Sequence, residues 1–193
     1  MQRGEALCIL GSSGAGKSTF LHILGTLDSP TSGNVFFEGE NLFLKNDKEL
    51  ADFRNKHLGF IFQFHHLLSE FNALENIMMP ARIAGVSKAE SKERAEELIE
   101  LMGLSDRSTH FPSELSGGEK QRIAIARALM QKPDIILADE PTGNLDSENG
   151  EKIKDLFLKL QKELNLTILI VTHDQSFASH FPKVLKMKDG IWT

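Results

Sequence analysis

The apolar run Ala6-Leu7-Cys8-Ile9-Leu10 leads straight into Gly11-Ser12-Ser13-Gly14-Ala15-Gly16-Lys17-Ser18-Thr19, and Phe20, Leu21, Ile23 and Leu24 follow at helical spacing. A buried strand, a glycine-rich turn and an apolar helix in that order commit the chain to an α/β layer structure, since an all-apolar strand needs cover on both faces. The turn also fits G-x-x-x-x-G-K-[ST] in the context that motif requires. Glycines there let backbone N–H groups turn inward and form a concave nest at a helix N-terminus, whose dipole favours anions. Lys17 is the point charge for β- and γ-phosphates, and the Ser18 hydroxyl is a ligand for Mg²⁺. Ser13 and Thr19 add phosphate donors. The plain alternative is a glycine-rich turn matching by accident.

The same rhythm of short apolar runs and longer helical patterns continues along the chain. Candidate strands are 6–10, 35–37, 58–62, 135–138, 167–171 and 184–187. The segment 35–37, set between Gly33 and Gly39, reads as a separate antiparallel strand. From about residue 64 to 132 there is helical pattern and loop but no strand. We therefore expect a single domain over 1–193, with an α/β core at 1–63 and 133–193 and an inserted helical lobe at 64–132. Ser87 and Glu90 have capping-box spacing ahead of a helix that runs to Gly103, with Leu98, Ile99, Leu101 and Met102 packed on a neighbour. Over 151–165, Ile153, Leu156, Phe157, Leu160 and Leu164 make a face that covers the sheet.

Composition excludes several classes. The 22 basic and 27 acidic side chains leave a net charge of −5, against a nucleic-acid partner. No apolar run approaches the ~18–20 residues that span a bilayer, and the start does not read as a signal peptide. The expectation is a soluble, cytoplasmic chain, so any membrane partner must supply the spanning helices. The single cysteine, Cys8, reads as a buried bystander suited to a reducing compartment.

Further chemistry sits at the ends of runs. Ile135-Ile136-Leu137-Ala138 closes on Asp139 and Glu140. Asp139 can hold the metal through water, beside the phosphate loop from a neighbouring strand, and Glu140 is a candidate base for the attacking water. Two acids after a strand can equally be a solvated turn; the phosphate loop upstream favours the catalytic reading. Ser116-Gly117-Gly118-Glu119 opens another helix with a capping box, so a plain helix start competes with function. Two glycines in a first turn each cost about 1 kcal/mol relative to alanine, and they allow close approach to an anion at the positive helix end. No His pairing gives a metal-ligand spacing, and Phe60, Phe62 and Phe64 read as core.

Taken together, the phosphate loop, Ser116-Gly117-Gly118, Asp139-Glu140, Gly143-Asn144-Leu145-Asp146 and Val171-Thr172-His173-Asp174 resemble ABC-type ATPase subunits in order and spacing. Gln63, after Gly59-Phe60-Ile61-Phe62, matches that family's Q-loop glutamine. The resemblance covers essentially the whole chain. It implies a phosphate-loop NTPase core and an ATP and Mg²⁺ enzyme in which two copies face head to tail. Ser116, Gly117 and Gly118 of one copy would close over the ATP held at Lys17 of the other. By the same resemblance Glu140 polarises the water and His173 holds the γ-phosphate. Gln63 joins Ser18 and Asp139 in the metal shell, and Asp146 crosses the dimer interface.

The stretch Gln63-Phe64-His65-His66-Leu67-Leu68, then Ala73-Leu74-Glu75-Asn76-Ile77, looks like the group serving lipoprotein release, macrolide-type efflux and cell division, most of all the lipoprotein-releasing ATPases. That likeness implies work at the cytoplasmic face of an inner membrane. Transmembrane permease subunits would dock near the Q-loop and helical lobe. The segment 67–83 is either the floor of their groove or a self-packed lobe. Members of the family usually carry two more strands and an adenine-stacking aromatic before the strand that starts here at Ala6, and this chain has no tyrosine. The expectation is a chain short of its N-terminal antiparallel strands, with 35–37 an exposed apolar edge and adenine held less tightly. Two alternatives remain open: a soluble ABC ATPase without a membrane partner, and a nucleotide switch that does not hydrolyse. Glu140 and His173 together speak against the second.

Overall fold

The computed structural model describes residues 1–193. In chain order the elements are β1 (Ala6–Leu10), α1 (Lys17–Leu24), β2 (Phe36–Phe37), β3 (Glu40–Asn41), α2 (Asp47–His57), β4 (Leu58–Ile61), α3 (Ala73–Ile83), α4 (Lys88–Leu101) and α5 (Gly117–Leu129). There follow β5 (Ile135–Asp139), α6 (Ser147–Leu164), β6 (Thr167–Thr172), α7 (Gln175–Ala178), β7 (Lys183–Lys188) and β8 (Ile191–Trp192). Six strands form one sheet in the order β4-β5-β6-β1-β7-β8, parallel except for the last pair. Between β4 and β5 the chain makes helices and no strand. No helix is long and apolar enough to cross a membrane.

Strand alternation sorts the core into two layers, because successive side chains leave opposite faces of a strand. Cys8, Ile136, Ala138, Ile168 and Ile170 pack on one face with α3–α7 residues such as Ile77, Leu98, Ile123, Phe157 and Phe177. Leu7, Ile9, Leu137, Leu169 and Val171 pack on the other with Leu21 of α1 and Phe53 of α2. This double cover is what an all-apolar β1 and the apolar centre of β6, Ile168 to Val171, demand. The buried Cys8 thiol is pushed up to about 12 by desolvation, as an inert core group should be.

Some details differ from the sequence reading. The strand β6 lies between β1 and β5, so the phosphate loop and Asp139 are not on adjacent strands. Their C-terminal ends still share one edge of the sheet, and the first turn of α1 spans the gap. The helix expected at 151–165 starts earlier, because Asp146 caps it by accepting from the Asn149 N–H at 2.9 Å. Leu164 and Leu101 are partly exposed, at 47% and 38%, while Leu98, Ile99 and Met102 are buried. Phe64 is 68% exposed, so it is not core. Of the segment 35–37, Phe36 and Phe37 pair with Asn41 and Glu40 in a two-stranded hairpin apart from the main sheet, with Phe36 exposed.

Candidate functional site

The phosphate loop joins the end of β1 to α1. Gly14 and Gly16 have φ of 81° and 94°, a region closed to most side chains. A Cβ at Gly11 would come within 2.4 Å of the Met187 carbonyl, so β7 packs directly on the loop. α1 has no side-chain N-cap, and no protein acceptor takes the N–H groups of Lys17, Ser18 or Thr19. An uncapped helix start of this kind has the free N–H groups and the dipole that can receive an anion. Lys17 is buried; its ammonium donates to the carbonyls of Gly11 (2.8 Å) and Ser12 (3.0 Å) and lies 3.4 Å from Glu140.

Across the sheet edge the Ser18 hydroxyl donates to Asp139 Oδ1 at 3.1 Å. Burial raises the Asp139 carboxyl above the ordinary range, and the Ser18 hydroxyl works against that shift. A hydroxyl and a carboxylate oxygen in contact at the foot of a phosphate nest are hard donors, the set that suits Mg²⁺ shared with phosphates. No group of three or more His, Cys, Asp and Glu side chains gathers elsewhere for a transition metal.

Glu140 sits in the left-handed region with φ of 45°, which bends the chain as it leaves β5. One carboxylate oxygen accepts from the Thr172 hydroxyl (2.9 Å) and the His173 N–H (3.2 Å). The other lies 2.9 Å from His173 Nδ1 and 3.4 Å from Lys17. The structure therefore brings Lys17, Ser18, Asp139, Glu140 and His173 into one cluster, drawn from the start of α1 and the C-terminal ends of β5 and β6. Thr172 is the member the sequence reading missed: it is fully buried and its role is visible only once β5 and β6 are paired.

Gln63 follows β4. Its Nε2 donates to Asn144 Oδ1 at 3.2 Å, and Asn144 Nδ2 donates back to the Gln63 carbonyl at 2.9 Å. Asp146, just beyond, is held low by the Asn149 N–H groups it accepts.

Ser116, Gly117 and Gly118 are not hydrogen-bonded to this cluster. Ser116 caps α5 reciprocally with Glu119, whose carboxyl is lowered by the Ser116 N–H and hydroxyl and by Arg107. A Cβ on Gly118 would lie 2.8 Å from Asn149 Oδ1. A larger residue at that position would therefore have to displace the Asn149 side chain of α6 in the same chain, whatever ligand the helix start meets. Ser116 and Gly117 are exposed.

A family profile described as "ABC transporter" matches residues 1–143. The chain is similar to the lipoprotein-releasing system ATP-binding protein LolD of Bdellovibrio bacteriovorus, 58% identical over 192 residues that span 100% of this chain and 87% of the relative. The protein of the same description from Syntrophus aciditrophicus is 56% identical over 190 residues, 98% of this chain and 85% of that one. A solved dimeric post-hydrolysis state of the ATP-binding cassette MJ0796 bound to ADP and Pi superposes with a TM-score of 0.89 at 42% identity, covering 98% of this chain and 84% of that chain. A likeness that runs through the whole length, and not through the phosphate loop alone, makes this chain a member of the ABC transporter family, an ATP-hydrolysing subunit of a membrane transporter.

Proposed function

We propose that the chain drives lipoprotein release from an inner membrane, through ATP-dependent closure of two copies on each other. The observation that supports this most is the division of the motifs. Lys17, Ser18, Asp139, Glu140 and His173 meet in one cluster, while Ser116 and Gly117 stay exposed and apart from it. In that reading Gly11-Ser12-Ser13-Gly14-Ala15-Gly16 and Thr19 cradle the phosphates, and Lys17 leaves Glu140 to bind them. Ser116, Gly117 and Gly118 of the second copy cover the γ-phosphate, with Asp146 at the crossing. Mg²⁺, when bound, neutralises charge building on the transferred phosphoryl group. Ser18, Asp139 and Gln63 would hold it. Glu140, freed of Lys17, takes up the water's proton, and His173 fixes the γ-phosphate. These are positioning and electrostatic roles, which phosphoryl transfer needs most.

Residues 64–132 act in this reading as the lobe that meets the membrane subunits. A groove between β4, α3 and α5 presents Phe62, Met79, Pro80 and Ile83 with Arg54 and Arg127 at its sides, and it suits a short apolar helix from a permease. The cargo assignment is supported by the likeness to lipoprotein-releasing relatives across nearly all of this chain.

The test is reconstitution of the chain with its spanning subunits in vesicles carrying a triacylated lipoprotein. ATP should release the lipoprotein with wild type. Glu140→Gln should bind ATP and hold two copies together while turnover falls by on the order of 10²–10⁴, the usual weight of a general base. Hydrolysis without release would reject the cargo; unchanged turnover in the variant would reject Glu140 as base.

A further inference from the structure

The reciprocal pair between Gln63 and Asn144 fixes more than two loops. A backbone carbonyl can only accept, so the Asn144 atom 2.9 Å from the Gln63 carbonyl must be its NH₂ group. The other end of the Asn144 amide is then an oxygen, and it can only accept from the Gln63 side chain. The Gln63 atom 3.2 Å away must therefore be Nε2. This leaves Gln63 Oε1 as the free end of its amide, with no protein donor upon it. A Cβ on Gly143 would come 2.9 Å from Gln63 Nε2, so the backbone beside Asn144 closes the same side. In the sheet Ile61 is paired with Ala138. Gln63 thus follows the end of β4, the strand paired with the one that ends at Asp139, whose carboxylate accepts from Ser18.

From this geometry we propose that Asn144 is a positioning residue for the ATPase reaction: it locks the Gln63 amide so that an oxygen, and never an N–H, is offered to the divalent cation bound with ATP. The chemistry explains why such a lock has value. An amide rotates about its last bond with little preference, and the two ends are nearly equal in size. A hard cation accepts only the oxygen end and is repelled by the N–H end. A free glutamine would spend part of its time presenting the wrong atom, and the lock removes that population before the nucleotide arrives. Asn144 does not itself touch the cation.

The inference rests on the reading of Gln63 as a cation ligand, and its test separates the two. Binding of a fluorescent ATP analogue is measured with Mg²⁺ and with excess EDTA, so that the readout is the gain in affinity due to the cation and not turnover. The variants are Asn144→Ala, Gln63→Ala and the pair together, in the chain assembled with its membrane subunits. Asn144→Ala should lose on the order of tenfold of the Mg²⁺-dependent gain, as removal of an outer-shell partner does, with EDTA binding unchanged within about twofold. The double variant should lose no more than Gln63→Ala alone, because the asparagine acts only through the glutamine. A full Mg²⁺ gain in Asn144→Ala, or an added independent loss in the double variant, overturns the proposal for Asn144 while leaving Gln63 a ligand. A full gain in Gln63→Ala overturns both. Asn144 lies in an exposed loop, so equal thermal melting of the variants separates a lost lock from a lost fold.

Discussion

At Asp139 burial and function pull against each other. Its carboxyl is raised by desolvation and is held mainly by one hydroxyl, from Ser18. A carboxyl raised in the folded state favours folding below its unfolded pKa, and that contribution is lost as pH climbs through the folded value. At neutral pH the ionised Asp139 is therefore a strained group in the absence of nucleotide. Asp139→Asn keeps an oxygen for Ser18 and removes the buried charge. We expect it to stabilise the nucleotide-free protein at pH 7 by about 1 kcal/mol, a typical gain from relieving an active-site charge. The gain should shrink as pH falls toward 4, and Mg²⁺-dependent nucleotide binding should be lost. Melting curves across pH 4–8 check it; a wild type more stable than the variant at pH 7 contradicts the assignment. The same residue shows what a sequence can disclose. Its place at the end of an apolar strand is written in the order of residues. Its separation from the phosphate loop by a whole strand is not, because pairing order is settled by contacts between residues far apart in the chain.

Among the elements, α5 is tied to the chain after β4 by one side chain. Arg127 donates to the carbonyls of His65 and His66, at 2.6 Å each, and has no carboxylate partner. Both histidines are left-handed, with φ of 40° and 47°, which turns their carbonyls toward the guanidinium. Burial lowers the Arg127 pKa, yet the group stays charged, since arginine does not lose its proton in proteins. The helix that begins at Ser116 is thereby fastened to the loop that carries Gln63. Arg127→Met should leave both carbonyls short of donors and cost about 2 kcal/mol, near 5 °C in Tm. Arg127→Lys should recover only part, because an ammonium cannot fork to two carbonyls as a planar guanidinium does. Calorimetry on the two variants decides it: equal melting of Arg127→Met and wild type would show that the pair holds nothing. Periodicity announced α5, and its capping box marked the start. It could not announce the clamp, which joins residues about sixty positions apart through backbone atoms that carry no sequence signal. By contrast α2 is legible in the sequence and absent from the sequence reading: Asn46 and Glu49 form a capping box of the same kind as those of Ser87 with Glu90 and Ser116 with Glu119, which disclose α4 and α5. The left-handed residues were hidden for another reason, since histidine and glutamate carry no mark of positive φ as glycine does.

For the whole molecule the decisive fact is that one chain carries both an uncapped start of α1 and an exposed Ser-Gly start of α5, with no hydrogen bond between them. The start of α1 leaves N–H groups without a protein acceptor, while Ser116 and Gly117 are exposed and Gly118 packs on Asn149. The order of motifs in the sequence suggests that two copies pair, and a solved relative that superposes on this chain is itself dimeric. If each reaction centre needs a nest from one copy and a helix start from its twin, the isolated chain must gain specific activity as its concentration rises, levelling off once two copies are together. Joined to the spanning subunits, the copies face each other at an effective concentration on the order of millimolar. The same titration on the assembled complex should then be flat. Sedimentation run beside the ATPase titration ties the rise to association, and Glu140→Gln should move the association midpoint to lower concentration when ATP is present. A specific activity that stays constant for the free chain down to nanomolar dilution would mean that one copy holds a complete centre. In that case the exposed Ser116 and Gly117 would be an ordinary helix start, as the capping box with Glu119 already allows on purely local grounds.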